Sequence, residues 1–249
     1  MQIKRRVFLM PIGVPKVPYL LPGEEKETWV DLYTRFYRER GLFLGDRIEA
    51  PLANHLISLM LYFNIEDDTK DIFLYINSPG GWALPGLSIY DTMFCIIPDI
   101  NTICVGLAAS MASLILAGGK THKRLAFPHT RVMIHQPECA LLRGRVRDLA
   151  LEVQEVTKLR SNITKAYAER TGKPYWAVSA DLEKDVFMSA TEAQAYGILD
   201  KIGIEQDQEK VTLLIDDFFV DMDVKERGKS FKSHRKEANL SLTDLWDSE

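Results

Sequence analysis

Residues 105–119 read VGLAASMASLILAGG, with Ser110 between small residues and an apolar, helix-forming run. The glycine and alanines before Ser110 let the backbone turn sharply and let a substrate carbonyl come close. A serine at the start of a helix also lies beside unpaired N–H groups at the positive end of the helix dipole. The stretch therefore predicts either a nucleophile with a stabilised oxyanion or an ordinary helix N-cap.

The segments around Ser110 alternate between predicted strands and helices. Residues 71–77, DIFLYIN, predict a strand that stops at SPGG, a helix follows over about 85–97, and the strand INTICVG then leads to the serine. RLAFP and RVMIH indicate two more short strands. This alternation is typical of α/β proteins, in which right-handed crossovers connect parallel strands. We therefore predict an α/β fold around a largely parallel sheet.

The N-terminal part predicts an arm followed by two helices. Four prolines fall between residues 11 and 26, which favours an extended conformation. One helix is predicted to begin near Thr28 and to run through WVDLYTRFYRER, and a second covers PLANHLISLMLYFNIED.

A long helix is predicted over about residues 144–171, because residues 145–171 contain neither glycine nor proline. At 1.5 Å per residue it would be roughly 40 Å long, more than one domain of this size needs. Its apolar residues step by three or four, as in a coiled coil. Two interpretations stay open: the helix projects and binds a partner subunit, which we favour, or it lies across the sheet. The apolar series is Val146, Leu149, Val153, Val156, Leu159, Ile163 and Tyr167.

The composition of the 249-residue chain excludes several classes of protein. A net charge of −4 does not favour a nucleic-acid groove or an anionic membrane surface. Three cysteines without CxxC spacing argue against a disulfide framework and a zinc site, and favour a reducing compartment. We find no apolar run of the ~18 residues that a membrane span needs. We expect a soluble, unsecreted protein without a metal site.

An activated serine needs a base and an acid that orients the base. Of the five histidines, His135 ends the RVMI strand and opens into a loop, where functional side chains are often carried. Asp185 lies between a predicted helix and the VFMSA segment, but the chain holds many aspartates, so the residues alone leave the acid open. The Gly80-Gly81 pair indicates either a plain turn or an N–H group that, with the N–H following Ser110, forms an oxyanion hole.

Five segments resemble the Clp protease proteolytic subunit family over about residues 28–204, in the order INSPGG, YDTM, TICVGLAASMAS, KRLAFPHTRVMIHQP and DVFMSATEAQAYGILD. The start MPIGVPKVP and the GEE and IEDDTKD segments are most similar to its plastid-encoded form. The resemblance implies a crotonase-like ββα spiral with a long projecting handle helix. We expect an N-terminal arm or axial loop over 1–26, the peptidase domain over 27–205 and a charged, partly disordered tail over 206–249.

The same resemblance implies the roles of particular residues. Ser110 would be the nucleophile, His135 the base and Asp185 the acid, and the N–H groups of Gly81 and Met111 would form the oxyanion hole. A hydrophobic pocket for a partner ATPase would include Phe73 and Tyr75, with Cys95 where an aromatic residue is common.

The implied protein is a serine endopeptidase subunit that degrades unfolded proteins to short peptides. Its implied partners are homologous catalytic and non-catalytic Clp subunits, in heptameric rings stacked face to face, and an AAA+ Clp ATPase that consumes the ATP. Its implied location is the chloroplast stroma. Two alternatives remain: a structural ring subunit whose triad is misaligned, and a crotonase-type acyl-CoA enzyme.

Overall fold

The computed structural model describes residues 13–19, 28–138 and 145–203, which form nine strands and seven helices. The strands are β1 (Lys16–Tyr19), β2 (Thr28–Asp31), β3 (Gly41–Leu44), β4 (Ile72–Ser78), β5 (Ile100–Ala109), β6 (Arg124–Ala126), β7 (Arg131–Ile134), β8 (Val186–Ser189) and β9 (Lys201–Ile202). The helices are α1 (Leu32–Arg38), α2 (Ala50–Glu66), α3 (Ala83–Cys95), α4 (Met111–Gly118), α5 (Val146–Thr171), α6 (Tyr175–Asp181) and α7 (Ala190–Tyr196). The predicted tail over 206–249 lies outside the described residues.

The central sheet consists of parallel strands in the order β3-β4-β5-β6-β9. Leu42 pairs with Leu74 and Leu74 with Thr102, which aligns the first three strands. β7 pairs in parallel with β5 and antiparallel with β8. The α/β fold with a largely parallel sheet is therefore confirmed.

Strand β5 changes its partner along its length. Its first part pairs with β6, and residues 107–109 pair with β7. Where these parts meet, Cys104 is opposite Ile76 of β4 and Ala108 is opposite Ser78. The segment of β5 between these pairs is thus two residues longer than that of β4. Gly106 lies in this bulge with φ 102°. Because a bulge bends a strand, it carries the end of β5, and the serine after it, to the side of β7.

The core lies beneath the serine. Helix α4 packs against β4, β5 and β7, α3 packs against α4, and α2 packs against α3. All eight residues of α4 are buried. Leu114, Ile115 and Leu116 have no exposed surface, and burial of such side chains contributes about 1.5–3 kcal/mol each. The nucleophile candidate thus precedes the most deeply buried helix described.

The segment predicted as the start of the first helix is partly a strand. Residues Thr28–Asp31 form β2, which pairs antiparallel with β1, so the predicted start of α1 near Thr28 was wrong by four residues. Helix α1 begins after Asp31, whose carboxylate accepts the N–H of Thr34 at 2.8 Å. A β-branched and aromatic sequence, TWV, favours a strand when a partner strand is available.

Helix α5 has 26 residues and ends at Gly172, which has a left-handed backbone. Only Ile163, Thr164 and Tyr167 are buried, and α5 packs against α4 and α6. Val153, in the N-terminal half, is 59% exposed. The long helix is present near its predicted bounds, while its projection toward another subunit stays a prediction. No helix in the described ranges is long and apolar enough to cross a bilayer.

A buried arginine connects three parts of the chain. Arg124 on β6 donates from Nε and Nη2 to the carboxylate of Asp200, at 2.8 and 2.6 Å. Its Nη1 donates to the carbonyl oxygens of Arg170, near the end of α5, and Gly197, which follows α7. The Arg124 and Asp200 side chains are only 6% and 11% exposed. The guanidinium therefore fixes the ends of α5 and α7 against the sheet.

Candidate active site

Ser110 occupies a sharp turn between β5 and α4. Its backbone has φ 56° and ψ −125°, a conformation that is unfavourable for a residue with a Cβ atom. It lies at the N-cap position, but its hydroxyl caps no N–H of α4. Its own N–H donates to the carbonyl of Met133 at 2.9 Å. The arrangement disfavours the ordinary N-cap interpretation, because the hydroxyl is directed elsewhere.

The hydroxyl contacts a histidine. Ser110 Oγ lies 2.9 Å from Nε2 of His135, and Nδ1 of His135 lies 3.2 Å from Oδ1 of Asp185. With the ring proton on Nδ1, Ser110 donates to His135 and His135 donates to Asp185. The His135 side chain is 16% exposed and that of Asp185 is 60% exposed. The structure thus brings the three predicted residues into one line of hydrogen bonds.

The pairing of β7 with β8 brings His135 and Asp185 together. Ile134, the last residue of β7, is opposite Val186, the first residue of β8, so the residue after β7 and the residue before β8 face each other. The segment after β7 is held further by the N–H of Gln136, which donates to a backbone carbonyl at 2.8 Å. This pairing brings two residues that are 50 positions apart within hydrogen-bond distance.

Gly80 and Gly81 come close to the turn that carries Ser110. Gly80 has φ 87°, and a Cβ atom there would lie 2.7 Å from the Cβ of Ser110 and 3.2 Å from the backbone N of Met111. A Cβ atom on Gly81 would overlap the backbone of Ile48. Only glycine at both positions allows this approach.

The hydrogen bonds of Ile48 determine where the N–H of Gly81 points. Ile48 donates its N–H to the carbonyl of Gly80 at 2.8 Å and accepts the N–H of Trp82 at 2.9 Å. Because alternate residues of an extended chain present their polar groups to opposite sides, the Gly81 N–H faces away from Ile48. Gly81 and Met111 line the same cavity, and Met111, as the first residue of α4, has no acceptor within its helix.

This cavity extends past Ser110 and His135 and has a volume of about 980 Å³. Apolar residues of α5 line one part of it, and residues 79–85 line another. The apolar residues that line it include Met133, Pro137, Val156, Leu159 and Ile163.

The residues predicted for ATPase docking are on two elements. Phe73 and Tyr75 lie on β4, two residues apart and thus on one face of the sheet, and both are half-buried. The Tyr75 ring is stacked with that of Phe43, with centroids 6.4 Å apart, and tilted against that of Phe36 at 5.3 Å. Burial raises the pKa of Tyr75. Cys95 is the last residue of α3 and is exposed.

Two hydroxyls near Ser110 were missed by the sequence analysis. Ser113 Oγ donates toward the carbonyl of Ser110 at 2.6 Å and lies 2.8 Å from the hydroxyl of Tyr167. A serine one helical turn after the nucleophile could have been noticed as a neighbour of the turn. Nothing in the sequence connects it with Tyr167, which was predicted only as part of an apolar series.

Within the described ranges, we find no group of three or more histidine, cysteine, aspartate or glutamate side chains placed to hold a metal ion. That the protein works without a metal stays a prediction.

A hydroxyl within hydrogen-bond reach of an imidazole, which a carboxylate orients, is common to serine hydrolases of unrelated folds. Here this set lies on a strand-to-helix turn beside a large cavity, and the chain falls in that class of protein. The comparison with protein families agrees, because the model of the Clp protease family matches residues 24–206.

Plant proteins named ATP-dependent Clp protease proteolytic subunit are close relatives. The protein of Panax ginseng is 61% identical over 196 residues, which are 79% of this chain and 100% of the relative. The Spinacia oleracea protein is 60% identical with the same coverage, and that of Phalaenopsis aphrodite subsp. formosana is 58% identical over 198 residues, 80% of this chain and 97% of the relative. The chain belongs to the Clp protease family and is a serine peptidase of the Clp type, as the resemblance predicted.

Proposed function

We propose that Ser110 is the nucleophile that cleaves peptide bonds, that His135 is its general base and that Asp185 orients His135. The observation that carries this proposal is the 2.9 Å contact between Ser110 Oγ and His135 Nε2. A base must lie within such reach of the proton that it removes. The 3.2 Å contact with Asp185 supports the proton position on Nδ1 that leaves Nε2 free to accept.

The proposed reaction proceeds through an acyl-enzyme. His135 takes the hydroxyl proton as Ser110 Oγ attacks the peptide carbonyl carbon, and the carbonyl oxygen becomes an oxyanion. His135 then gives the proton to the leaving nitrogen, and the C–N bond breaks. Water, deprotonated by His135, attacks the ester, and the acid is released as Ser110 regains its proton.

The N–H groups of Gly81 and Met111 are the proposed oxyanion hole. Both residues line the cavity beside Ser110, and neither N–H is used by the hydrogen bonds that hold Ile48 or by the helix. Removing one such donor typically lowers the rate by about 10²–10³-fold in comparable sites. This chemistry needs no cofactor, and ATP would be consumed by a partner.

A fluorophosphonate probe tests this proposal, because it labels only an activated serine. We expect labelling of the assembled wild-type protein at Ser110, and loss of labelling and of peptide hydrolysis in Ser110→Ala. Absence of labelling in the assembled wild type would favour the alternative of a structural ring subunit with a misaligned triad. The crotonase-type alternative has no supporting observation, since that chemistry does not use a serine, histidine and aspartate set.

The proposed substrates are unfolded proteins, delivered by an AAA+ Clp ATPase to a chamber formed by stacked heptameric rings of this subunit and its homologues. The relatives are named as ATP-dependent and as subunits, which supports such partners.

The proposed domains are an arm or axial loop over 1–26, the peptidase over 27–205 and a tail over 206–249. The plant relatives also support a location in the chloroplast stroma, which fractionation of intact chloroplasts would test.

The ATPase is proposed to dock on the hydrophobic pocket that includes Phe73, Tyr75 and Cys95. Tyr75→Ala should reduce ATPase-driven degradation of a folded substrate while hydrolysis of a short peptide continues, because short peptides need no unfolding. Trp176→Ala, which removes an exposed aromatic side chain from α6, is the control and should change neither activity. Equal protein degradation by Tyr75→Ala and the wild type would contradict this docking site.

A further inference from the structure

The backbone at Ser110 needs support from outside its own turn. A residue with a Cβ atom at φ 56° and ψ −125° persists only where the surrounding structure holds it. Its carbonyl oxygen is the acceptor of several groups, including the N–H of Ser113 at 3.1 Å and that of Leu114 at 3.4 Å. These two donors belong to the same helix and move with it, so they cannot fix the turn relative to the rest of the protein.

The N–H of Ser110, which donates to Met133 on β7, is one connection to the rest of the protein, and two buried hydroxyls add others. Ser113 Oγ lies 2.6 Å from the carbonyl oxygen of Ser110, 2.7 Å from that of Met133 and 2.8 Å from the hydroxyl oxygen of Tyr167. The Tyr167 hydroxyl is also 3.2 Å from the Ser110 carbonyl. Ser113 is fully buried and Tyr167 is 2% exposed, so no water competes for these groups.

The two hydroxyls depend on each other for their hydrogen bonds. Each has one proton, and both carbonyls can only accept. In one arrangement Tyr167 donates to Ser113, and Ser113 donates its own proton to the carbonyl of Ser110 or of Met133. In the other arrangement Tyr167 donates directly to the carbonyl of Ser110. Burial raises the pKa of Tyr167, so its proton stays in place at neutral pH. Removing either hydroxyl leaves a buried acceptor without one of its donors.

The same contacts connect the nucleophile with the base. The Met133 carbonyl accepts both Ser113 Oγ and the N–H of Ser110, and Met133 lies on β7, one residue before the end of the strand that His135 follows. Tyr167 is on α5, and Arg170, one turn later, donates from Nε to the carbonyl of Ala117 at 2.8 Å. Helix α5 thus contacts both ends of α4.

We infer that Tyr167 and Ser113 are positioning residues for the acylation step, through which α5 holds the Ser110 turn in register with His135. This inference rests on the proposed role of Ser110 as nucleophile. Neither hydroxyl reaches the reacting atoms, and both act through the backbone carbonyls of Ser110 and Met133. Any displacement of the C-terminal part of α5 is therefore transmitted to the nucleophile.

The test uses Tyr167→Phe and Ser113→Ala in the full-length, assembled protein, each of which removes one hydroxyl and little else. The matched control is Thr164→Val, which removes a fully buried hydroxyl from the same helix that donates only to Arg160 within α5. The readouts are the rate of fluorophosphonate labelling of Ser110 and the separate values of kcat and KM for a fluorogenic peptide.

We expect Tyr167→Phe and Ser113→Ala each to lower the labelling rate and kcat about tenfold with KM unchanged, and Thr164→Val to alter neither. The double variant should resemble the single variants, because both hydroxyls act in one network. If Tyr167→Phe does not assemble, Ser113→Ala, which alters a different helix, decides the question.

Two results would overturn the inference. The first is that Ser113→Ala, and any Tyr167→Phe protein that assembles, are labelled at the wild-type rate. The second is that Thr164→Val loses as much labelling rate and kcat as they do, which would indicate a general effect of packing. Either result, obtained while the wild type is labelled at Ser110, leaves the proposed function intact. Failure of the wild type to react would instead contradict the proposed function itself.

Discussion

At the scale of single residues, the site depends on where glycine is present as much as on the serine. Gly80 lies against the Ser110 turn with φ 87°, whereas Gly172 has a similar φ of 73° at the end of α5, where a Cβ atom would meet no heavy atom within 4 Å. Both glycines have a backbone conformation that side chains disfavour, but only at Gly80 would a side chain also overlap its neighbours. Comparing the two positions therefore distinguishes the effect of backbone conformation from that of steric overlap.

Gly80→Ala should lower kcat by about 10²-fold, because its new Cβ atom would displace the Ser110 turn by the order of an ångström. Gly172→Ala should lower the free energy of unfolding by roughly 1 kcal/mol and leave kcat unchanged. Peptide hydrolysis and urea unfolding of both variants check this. Full kcat in Gly80→Ala would show that the close approach is not needed.

Asp185→Asn should lower kcat by about 10⁴-fold if the carboxylate holds the proton of His135 on Nδ1, since an amide can favour the wrong tautomer. The control is Glu183→Gln, which removes a nearby carboxylate that pairs with Arg160 rather than with His135. Its kcat should be unchanged. Comparable losses in both variants would point to a general effect of charge.

The sequence was informative about residues whose chemistry is unusual for their setting. A serine among alanines and a histidine at a strand end could be found from patterns, and the glycine pair could be suspected. Asp185 could not be chosen by physical reasoning, because its selection depends on the pairing of β7 with β8. The contact between Ser113 and Tyr167 depends in the same way on the packing of α4 against α5.

At the scale of elements, β5 determines where the site forms. Its bulge around Gly106 lets one strand pair first with β6 and then with β7, so that Ser110 leaves the sheet beside the strand that leads to His135. The strand itself was predicted, but the bulge was not, because the register between two strands is a property of both. Similarly, the sequence predicts helix where β2 is found, because nothing in it reveals the partner strand β1.

The Arg124–Asp200 ion pair gives a prediction at this scale. Burial alone would raise the pKa of Asp200, but the hydrogen bonds and charge of Arg124 outweigh it and lower the pKa below 3.8. A carboxylate with a lowered pKa stabilises the fold above its unfolded pKa and loses that contribution as pH falls through the folded one. The pair should therefore stabilise the protein at neutral pH and fail in acid.

Asp200→Asn should lower the free energy of unfolding by about 3–5 kcal/mol at pH 7, since it leaves the Arg124 charge buried without its partner. The difference from the wild type should shrink as pH falls below 3.8. Denaturant unfolding at several pH values measures this. Glu155→Gln, which breaks an exposed ion pair with Lys158, should have no measurable effect at any pH.

At the scale of the whole molecule, α5 exposes apolar side chains that a lone subunit would leave in water. Val153 and Leu151 are 59% and 53% exposed, and Val146 is 84% exposed. The apolar series was recognised in the sequence, and only its C-terminal residues are buried within the subunit. The exposed part is consistent with the proposed stacking of rings.

Val153→Glu should prevent stacking and yield single rings, because it places a charge in the proposed apolar contact. Lys158→Gln alters the net charge of the helix by the same amount and should leave the double ring intact. Sedimentation velocity of the purified proteins distinguishes the two assemblies. Stacked rings in Val153→Glu would exclude this part of α5 from the contact.

The Arg124 guanidinium also bears on biosynthesis. Its counter-ion is made 76 residues later, directly before β9, so a nascent chain has no partner for this cation until Asp200 has been synthesised. A polypeptide released before that point would have to bury the Arg124 charge without its carboxylate partner, or leave β6 unpacked. We expect subunits that terminate before Asp200 to stay unfolded.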